Sequence, residues 1–195
     1  MGRNGGSAGR GSNGSKQAGA GRNPTAEETA TAIRARDPVA AGLVSDFTGG
    51  NFLSTNRFLL RGYTRTRKEG GAKYAREKRE EVRRLQAALE AAPKTVGPTI
   101  RGTNMPEHIL ERMTPGARWT SKTMMSTTQK DRELSHFEGN TVFHIKNARG
   151  VNVQSFAGAL GAVEREILLP AGRSFKVLSH TVLSGKHTIH LRQMN

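Results

Sequence analysis

The 195-residue chain contains no cysteine, few aromatic residues and only about half as many acidic as basic side chains. The lack of cysteine excludes disulfides, thiolate zinc sites and cysteine nucleophiles, so stability must come from packing. No stretch approaches the roughly 18 apolar residues of a membrane-spanning helix. The N-terminus also lacks the apolar central region of a secretory signal. We therefore expect no membrane partner and no signal peptide.

Basic side chains dominate the charge, with 31 Lys and Arg against 16 Asp and Glu and a net charge of +15. This excess predicts attraction to polyanions, whether nucleic acid, an acidic partner protein or a membrane surface. Nonspecific attraction explains the same charge equally well.

The composition changes twice along the chain. Residues 1–23 consist of Gly, Ser, Asn and Ala with scattered Arg and Lys and no acid, which predicts a flexible basic tail or linker. It is either a tether or an arm that touches RNA. Residues 24–92 predict a helical segment that packs on the core. Its first helix has Thr25 as N-cap and Glu28 three residues on, as in a capping box, and breaks before Pro38.

Further helices follow in the same segment. Residues 43–63 predict short helices joined by turns around Gly49-Gly50, and residues 73–92 form the clearest helix. Its apolar stripe is Ala75, Val82, Leu85 and Leu89, and its predicted i,i+4 pairs are Lys73 with Glu77 and Glu80 with Arg84. The basic face of this helix is either simply solvated or a stripe that binds nucleic acid.

From residue 93 to residue 195 short β-like runs replace the helices, with one helix predicted after Asn104 as its cap. The predicted strands are residues 96–101, 119–126, 141–145, 151–155, 164–169, 174–178 and 188–192. The sequence therefore predicts an α+β fold, with N-terminal helices followed by a β-rich core.

Two acids lie on one face of a predicted strand near its end. In an extended strand Glu164 and Glu166 project from the same side, about 6.6 Å apart. Glu166 precedes Ile167-Leu168-Leu169, and a carboxylate in an apolar strand is costly unless a donor or ligand satisfies it. Such a pair suits a reaction that stabilises positive charge on a sugar carbon while a nucleophile is positioned. Alone, this pattern is also common on a solvent-facing strand edge.

Two other short stretches supply complementary groups. Arg101 precedes Gly102 at the end of a predicted strand, where a guanidinium can hold a pyrophosphate bidentately or pair with a carboxylate. Ser126-Thr127-Thr128 offers hydroxyls that can fix a carboxylate, or merely end a strand.

The order of these motifs resembles the arginine-serine-glutamate class of mono-ADP-ribosyltransferases found among bacterial toxins. The motifs are Arg-Gly, then Ser-Thr-Thr, then Glu-x-Glu followed by Ile-Leu-Leu-Pro-Ala-Gly. The resemblance covers residues 95–195. It implies a two-sheet ADP-ribosyltransferase-type core (residues 93–195) that uses NAD+ as co-substrate and needs no metal.

The resemblance also implies a role for each matching residue. Glu166 is then the catalytic glutamate and Ser126 orients it, while Glu164 engages the acceptor. Arg101, with Gly102 beside it, binds the NAD+ phosphates. Thr127 and Thr128 support the nicotinamide ribose, and Phe137 covers the nicotinamide.

The chain departs from the family pattern at two positions. Ile100 replaces the aromatic residue that often precedes the arginine, and Thr128 replaces a commoner serine. The loop before the acids, residues 156–162, is small and apolar apart from Phe156, so it gives little information about the target.

The resemblance implies transfer of ADP-ribose to a protein arginine by a toxin or effector. Such a protein acts in the cytoplasm of a target cell after delivery by a specialised secretion system or a phage, and a cognate immunity protein or antitoxin blocks it. RNA or DNA as acceptor, and simple hydrolysis of NAD+, remain alternatives. A nonenzymatic protein that binds nucleic acid through the tail and the helix at residues 73–84 is the competing hypothesis. The six histidines show no metal-binding spacing.

Overall fold

The structure is a computed structural model that describes residues 22–129, 139–157 and 165–194. The helices are α1 (Ala26–Arg36), α2 (Pro38–Asp46), α3 (Phe52–Ala91) and α4 (Glu107–Leu110), with a π-helical turn at Phe47–Asn51. The strands are β1 (Thr95–Thr103), β2 (Arg118–Thr120), β3 (Met125–Thr128), β4 (Thr141–Asn152), β5 (Glu166–Leu169), β6 (Ser174–Leu183) and β7 (Lys186–Gln193). The predicted α+β class, with helices ahead of a strand-rich core, is confirmed.

The N-terminal helices begin with side-chain caps. Thr25 forms the predicted capping box with Glu28, whose backbone N–H donates to Thr25 Oγ1 over 3.1 Å. The Arg22 guanidinium and the Thr25 backbone N–H hold the pKa of Glu28 down at about 2. Asp37 caps α2 through the Ala40 N–H at 3.0 Å. These caps satisfy backbone donors that a helix start leaves unpaired.

Helix α3 is longer than predicted but is interrupted twice, because Gly62 and Gly71 adopt positive φ of 73° and 83°. The predicted pairing of Glu80 with Arg84 is wrong. Glu80 instead accepts from Arg83 over 2.6 Å, and Arg84 Nε reaches 2.7 Å to Asp37 at the start of α2. The Arg84 guanidinium of α3 therefore helps to hold the start of α2 in place.

The strands form one hydrogen-bonded sheet in the order β1-β3-β5-β4-β7-β6-β2, with an additional pairing between β1 and β4. The long strand β4 pairs with β1 from Thr141 to Gly150, with β7 from Thr141 to Lys146 and with β5 at Val151 and Asn152. Strand β4 joins β1, β3 and β5 on one side to β7, β6 and β2 on the other. The two predicted sheets are therefore continuous with each other.

Three local predictions were wrong. Residues 119–126 are not one strand, because residues 121–124 turn between β2 and β3. The predicted strands at residues 141–145 and 151–155 are largely one strand, β4. Asn104 does not cap α4; Pro106 stands at that position, and Asn104 Oδ1 accepts the Asn140 N–H at 3.0 Å.

Two apolar clusters pack on opposite faces of the strands. One joins helices α1, α2 and the end of α3 to Met124, Val151, Val153 and Leu168. The other lies between the strands and α4 and includes Phe143, Ile167, Phe175 and Leu191. Within the described residues, no helix is both long enough and apolar enough to cross a bilayer.

Gly150 marks a close approach between β4 and β5. A Cβ at this position would lie 2.5 Å from Ile167 Cγ2, 2.7 Å from Leu169 Cδ2 and 3.1 Å from the Leu168 carbonyl oxygen. β4 can therefore cross beside β5 only without a side chain here.

We predict that Gly150→Ala lowers the free energy of unfolding by about 1–3 kcal/mol, because the added methyl group overpacks the β4–β5 contact. Gly42→Ala is the matched control, since a Cβ at Gly42 meets nothing within 4 Å and the residue lies inside α2. It should be neutral or stabilising by up to about 1 kcal/mol. Urea denaturation checks both, and equal stability of the two variants would contradict the close approach.

Candidate active site

Glu166 is the first residue of β5 and is almost fully buried, with 7% of its surface exposed. Its backbone carbonyl oxygen accepts the Val153 N–H at 3.2 Å, and its Cα partner across the sheet is Thr128 of β3. Arg165, the preceding residue, has a positive φ of 44°, which is uncommon for a residue with a side chain. The backbone therefore enters β5 through a constrained turn that places the carboxylate at the strand end.

The Ser-Thr-Thr stretch forms strand β3, antiparallel to β5. Thr128 pairs with Glu166 and Ser126 with Leu168, so Ser126, Thr128 and Glu166 project from one face. Thr128 is thus the direct neighbour of Glu166, and Ser126 is its diagonal neighbour, at a typical Cα separation of about 7–8 Å. Thr127 points to the opposite face, where its Oγ1 donates to the Ile167 carbonyl oxygen over 2.7 Å.

Arg101 lies near the end of β1, which meets β3 through the pairing of Ile100 with Thr128. The Arg101 Nη1 donates to the Ser126 carbonyl oxygen over 2.7 Å. Burial lowers the pKa of the guanidinium, and the negative charge of Glu166 opposes that shift. The three predicted stretches therefore meet at one place, with the cation and the acid close enough to interact.

Two amide side chains of α3 hold the site strands, and nothing in the sequence pattern singled them out. Asn56 donates to the Met124 carbonyl oxygen (3.2 Å) and accepts the Met124 N–H (3.1 Å), just before β3. Gln86 makes the same two contacts with Ala171 after β5, at 3.1 and 3.2 Å. Both strands are only four residues long, so these clamps fix ends that have little pairing of their own.

Not every predicted residue can be located. Glu164 and Phe137 lie outside the described residues. Gly102 is buried in β1 opposite Val142. Phe156 is buried, with 8% of its surface exposed, so it is not available to contact a target protein. It packs in the apolar cluster that contains helices α1 and α2, and the Arg34 guanidinium lies 5.2 Å from its ring centroid.

The site holds hydroxyl, carboxylate and guanidinium groups. Within the described ranges, no group of three or more His, Asp or Glu residues is arranged to hold a metal ion. What the arrangement can do is bind an anion at Arg101 and stabilise positive charge at Glu166.

The hydroxyl of Thr127 has a structural contact that can be tested. Thr127→Val keeps the shape but removes the donor to the Ile167 carbonyl oxygen, so we predict a loss of about 1 kcal/mol in the free energy of unfolding. Thr127→Ser keeps the donor and should lose less. Urea denaturation of both variants is the measurement; if valine is as stable as threonine, the hydroxyl has another role.

Comparison with known proteins shows which family the chain is similar to. Residues 82–195 match the model of the ART family, described as NAD:arginine ADP-ribosyltransferase. A protein of Mycobacterium avium (strain 104), named as the NAD(+)--arginine ADP-ribosyltransferase Mav, is 37% identical over 148 residues. The match covers 75% of this chain but only 16% of that relative, so the chain spans about one sixth of its length.

Solved structures share the fold. An ADP-ribosyltransferase, Vis, in complex with agmatine superposes with a TM-score of 0.68 at 20% identity, covering 90% of this chain and 88% of that one. Vis is described as a toxin from Vibrio splendidus. Exoenzyme S from Pseudomonas aeruginosa gives a TM-score of 0.58 at 17% identity, covering 86% and 88%. From the match over residues 82–195 and the 37% identity, the chain belongs to the NAD:arginine ADP-ribosyltransferase family.

Proposed function

We propose that the chain is a mono-ADP-ribosyltransferase domain that transfers ADP-ribose from NAD+ to an arginine of a target protein. The observation that carries the proposal is the buried Glu166 at the start of β5, paired with Thr128 across the sheet and interacting with the Arg101 guanidinium. Family membership supports the chemistry, and the similar toxin structures support the fold.

In this reaction the bond between ribose C1′ and the nicotinamide nitrogen breaks, and nicotinamide leaves with the bonding electrons. A guanidino nitrogen of the acceptor forms the new bond to C1′ and loses a proton. Positive charge develops on the ribose between these events. A preorganised carboxylate in a site with little water stabilises such charge strongly, and we assign this role to Glu166.

Arg101 and its neighbours are assigned to binding and orientation. One Arg101 nitrogen is occupied by the Ser126 carbonyl oxygen, which leaves the other donors of the guanidinium for a pyrophosphate. Gly102 follows it without a side chain that would block the ligand. We assign Ser126 and Thr128, which share the face of Glu166, to holding the glutamate and the ribose, and Phe137 to covering the nicotinamide.

The acceptor is proposed to be a guanidinium. Vis has been solved in complex with agmatine, a compound that carries the guanidino group of arginine. We assign Glu164 to binding this cation, because a second carboxylate beside the catalytic one attracts it and holds the attacking nitrogen near C1′. RNA or DNA as acceptor remains the alternative.

We further propose that residues 24–92 form a helical segment that supports a catalytic core at residues 93–195, with residues 1–23 as a basic tether. As a toxin or effector, the protein would act inside a target cell after delivery by a specialised secretion system or a phage. A cognate immunity protein that blocks the cleft would protect the producing cell. The similarity to bacterial toxins and type III effectors supports this assignment.

Replacing Glu166 tests the central role. We predict that Glu166→Gln reduces transfer of label from tagged NAD+ to a cell lysate by at least about 10²-fold, because the amide has no negative charge to offer the transition state. Glu111→Gln, on an exposed residue, is the control and should transfer normally. Thermal melting of each variant checks folding.

Each labelled lysate is then divided between protease and nuclease. Loss of label to protease supports a protein acceptor, and loss to nuclease would replace it with a nucleic-acid acceptor. Unaltered transfer by Glu166→Gln, or no label and no NAD+ consumption by the wild type, would contradict the proposal.

Replacing Glu164 separates acceptor binding from cleavage of NAD+. With agmatine as a small arginine-like acceptor, we predict that Glu164→Gln loses at least about tenfold of ADP-ribosyl-agmatine formation, since the carboxylate that attracts the guanidinium is gone. Release of nicotinamide in the absence of agmatine should persist. Both products, ADP-ribosyl-agmatine and nicotinamide, are measured by chromatography. A parallel loss of both would show that Glu164 is needed for cleavage of NAD+ itself.

A further inference from the structure

Two groups of basic residues in the structure differ in their ion-pair partners. On helix α3, five of the eleven cations pair with nearby acids, among them Lys78 with Glu81 at 2.5 Å, Arg83 with Glu80 at 2.6 Å and Arg84 with Asp37 at 2.7 Å. Arg61 and Arg65 likewise share Glu69. These pairs neutralise part of the charge of the helix, although its eleven Lys and Arg still outnumber its five Glu.

The second set forms a row across four adjacent strands. Lys146 of β4 lies opposite Arg192 of β7, Arg192 lies opposite Lys176 of β6, and Lys176 lies opposite Arg118 of β2. All four residues are exposed. We call these four residues the basic row; at about 4.8 Å per strand they extend over roughly 14 Å.

No acid offsets the basic row in the part of the chain that the structure describes. Strands β2, β4, β6 and β7 contain no Asp or Glu, and within the described ranges none of the four cations forms an ion pair. Like charges directly opposite each other destabilise a sheet. Four in register are unfavourable for the protein alone, and an anion bound along them would remove that cost.

The row lies on the open face of these strands. Alternating neighbours such as Phe143, Ile145, Phe175, Val177 and Leu191 are fully buried on the other face. The core therefore lies behind the sheet, and the exposed side chains of the row are accessible to a ligand from solvent.

Aromatic side chains stand next to the row on the same face. His144 and His190 lie two residues from Lys146 and Arg192 along their strands, and their rings stack with centroids 4.8 Å apart and an interplanar angle of 16°. A planar stack beside a line of cations matches a ligand with both phosphates and flat bases.

The same face continues to the candidate active site through the strand register. His144 pairs with Ile100 of β1, Ile100 with Thr128, and Thr128 with Glu166. The histidine stack is therefore three to four strand steps from the catalytic glutamate, roughly 14–19 Å along the sheet.

We propose that this sheet face binds single-stranded nucleic acid, with phosphates on the basic row and bases against the His144–His190 stack. The row presents four positive charges in line, which can contact consecutive phosphates of one strand. An acidic protein fits less well, because protein interfaces usually centre on buried aromatic or apolar anchors. Beside the row lie the hydroxyls of Thr120 and Ser174, 2.9 Å apart, and the imidazoles of His144 and His190. The surface is independent of the proposed transfer reaction and needs no NAD+.

The test is fluorescence anisotropy with a labelled single-stranded RNA of mixed sequence, about 12 nucleotides long, over a series of salt concentrations without NAD+. The variant is Lys176→Gln/Arg192→Gln. The control is Lys73→Gln/Arg76→Gln, which removes two exposed charges from α3 and so changes the net charge equally. Thermal melting confirms that both variants fold.

We expect the sheet variant to bind RNA at least about tenfold more weakly than the control. The slope of log K against log salt should fall by about 1.4, since each lost phosphate contact contributes about 0.7 for a single strand. His190→Ala should weaken binding by roughly fivefold or more through lost stacking, with little change in the slope.

Three results would overturn the proposal: equal weakening by the sheet and control variants, no measurable RNA binding by the wild type, or displacement of RNA by poly-glutamate at equal charge concentration. The last result would indicate an acidic protein as the partner. All three leave the transfer assays with Glu166→Gln unaffected, so failure of this proposal is distinguishable from failure of the proposed function.

Discussion

The contact of the Arg101 guanidinium with strand β3 is the constraint on which the site depends. Its bond to the Ser126 carbonyl oxygen ties β1 to a strand of only four residues, and its charge lies near the buried Glu166. Burial of either ion alone would be costly, and their mutual attraction offsets part of that cost. The pair to which we assign the chemistry therefore also helps to assemble the site, so we expect stability and activity to be coupled at this position.

The short strands of the site depend on the helices outside them. Asn56 and Gln86, thirty positions apart on α3, clamp the backbone before β3 and after β5. The family match begins at residue 82, yet one clamp lies well before it. A core cut at residue 93 would lose both clamps and expose the helix-side cluster around Leu168, which is why we treat residues 24–92 as support for the catalytic core.

Local patterns in the sequence were sufficient to predict that Glu166 lies in a strand. The two-residue period of a strand placed Glu166 on a defined face, and the Thr25 capping box followed from side-chain spacing alone. The clamps were not predictable in this way, because an amide on a helix carries no signal of the distant backbone it binds. The strands predicted at residues 119–126, 141–145 and 151–155 were wrong for a related reason, because turns and strand continuity there depend on partners far along the chain.

The basic surface of the sheet also could not be predicted from the sequence, because its residues are far apart along the chain. In the sequence the helix at residues 73–84 carries the densest basic cluster, but its acids lie one turn away and pair with it. Arg118, Lys146, Lys176 and Arg192 are scattered over 75 positions and become a row only when the strands pair. Strand pairing therefore creates a basic surface on the sheet that the sequence alone does not show. An enzyme held on nucleic acid by this face would meet the proteins bound there, and those proteins use arginine to contact phosphates and bases. The proposed nucleic-acid surface and the proposed arginine-modifying site are thus compatible on one molecule, since the surface would bring the site to its acceptor.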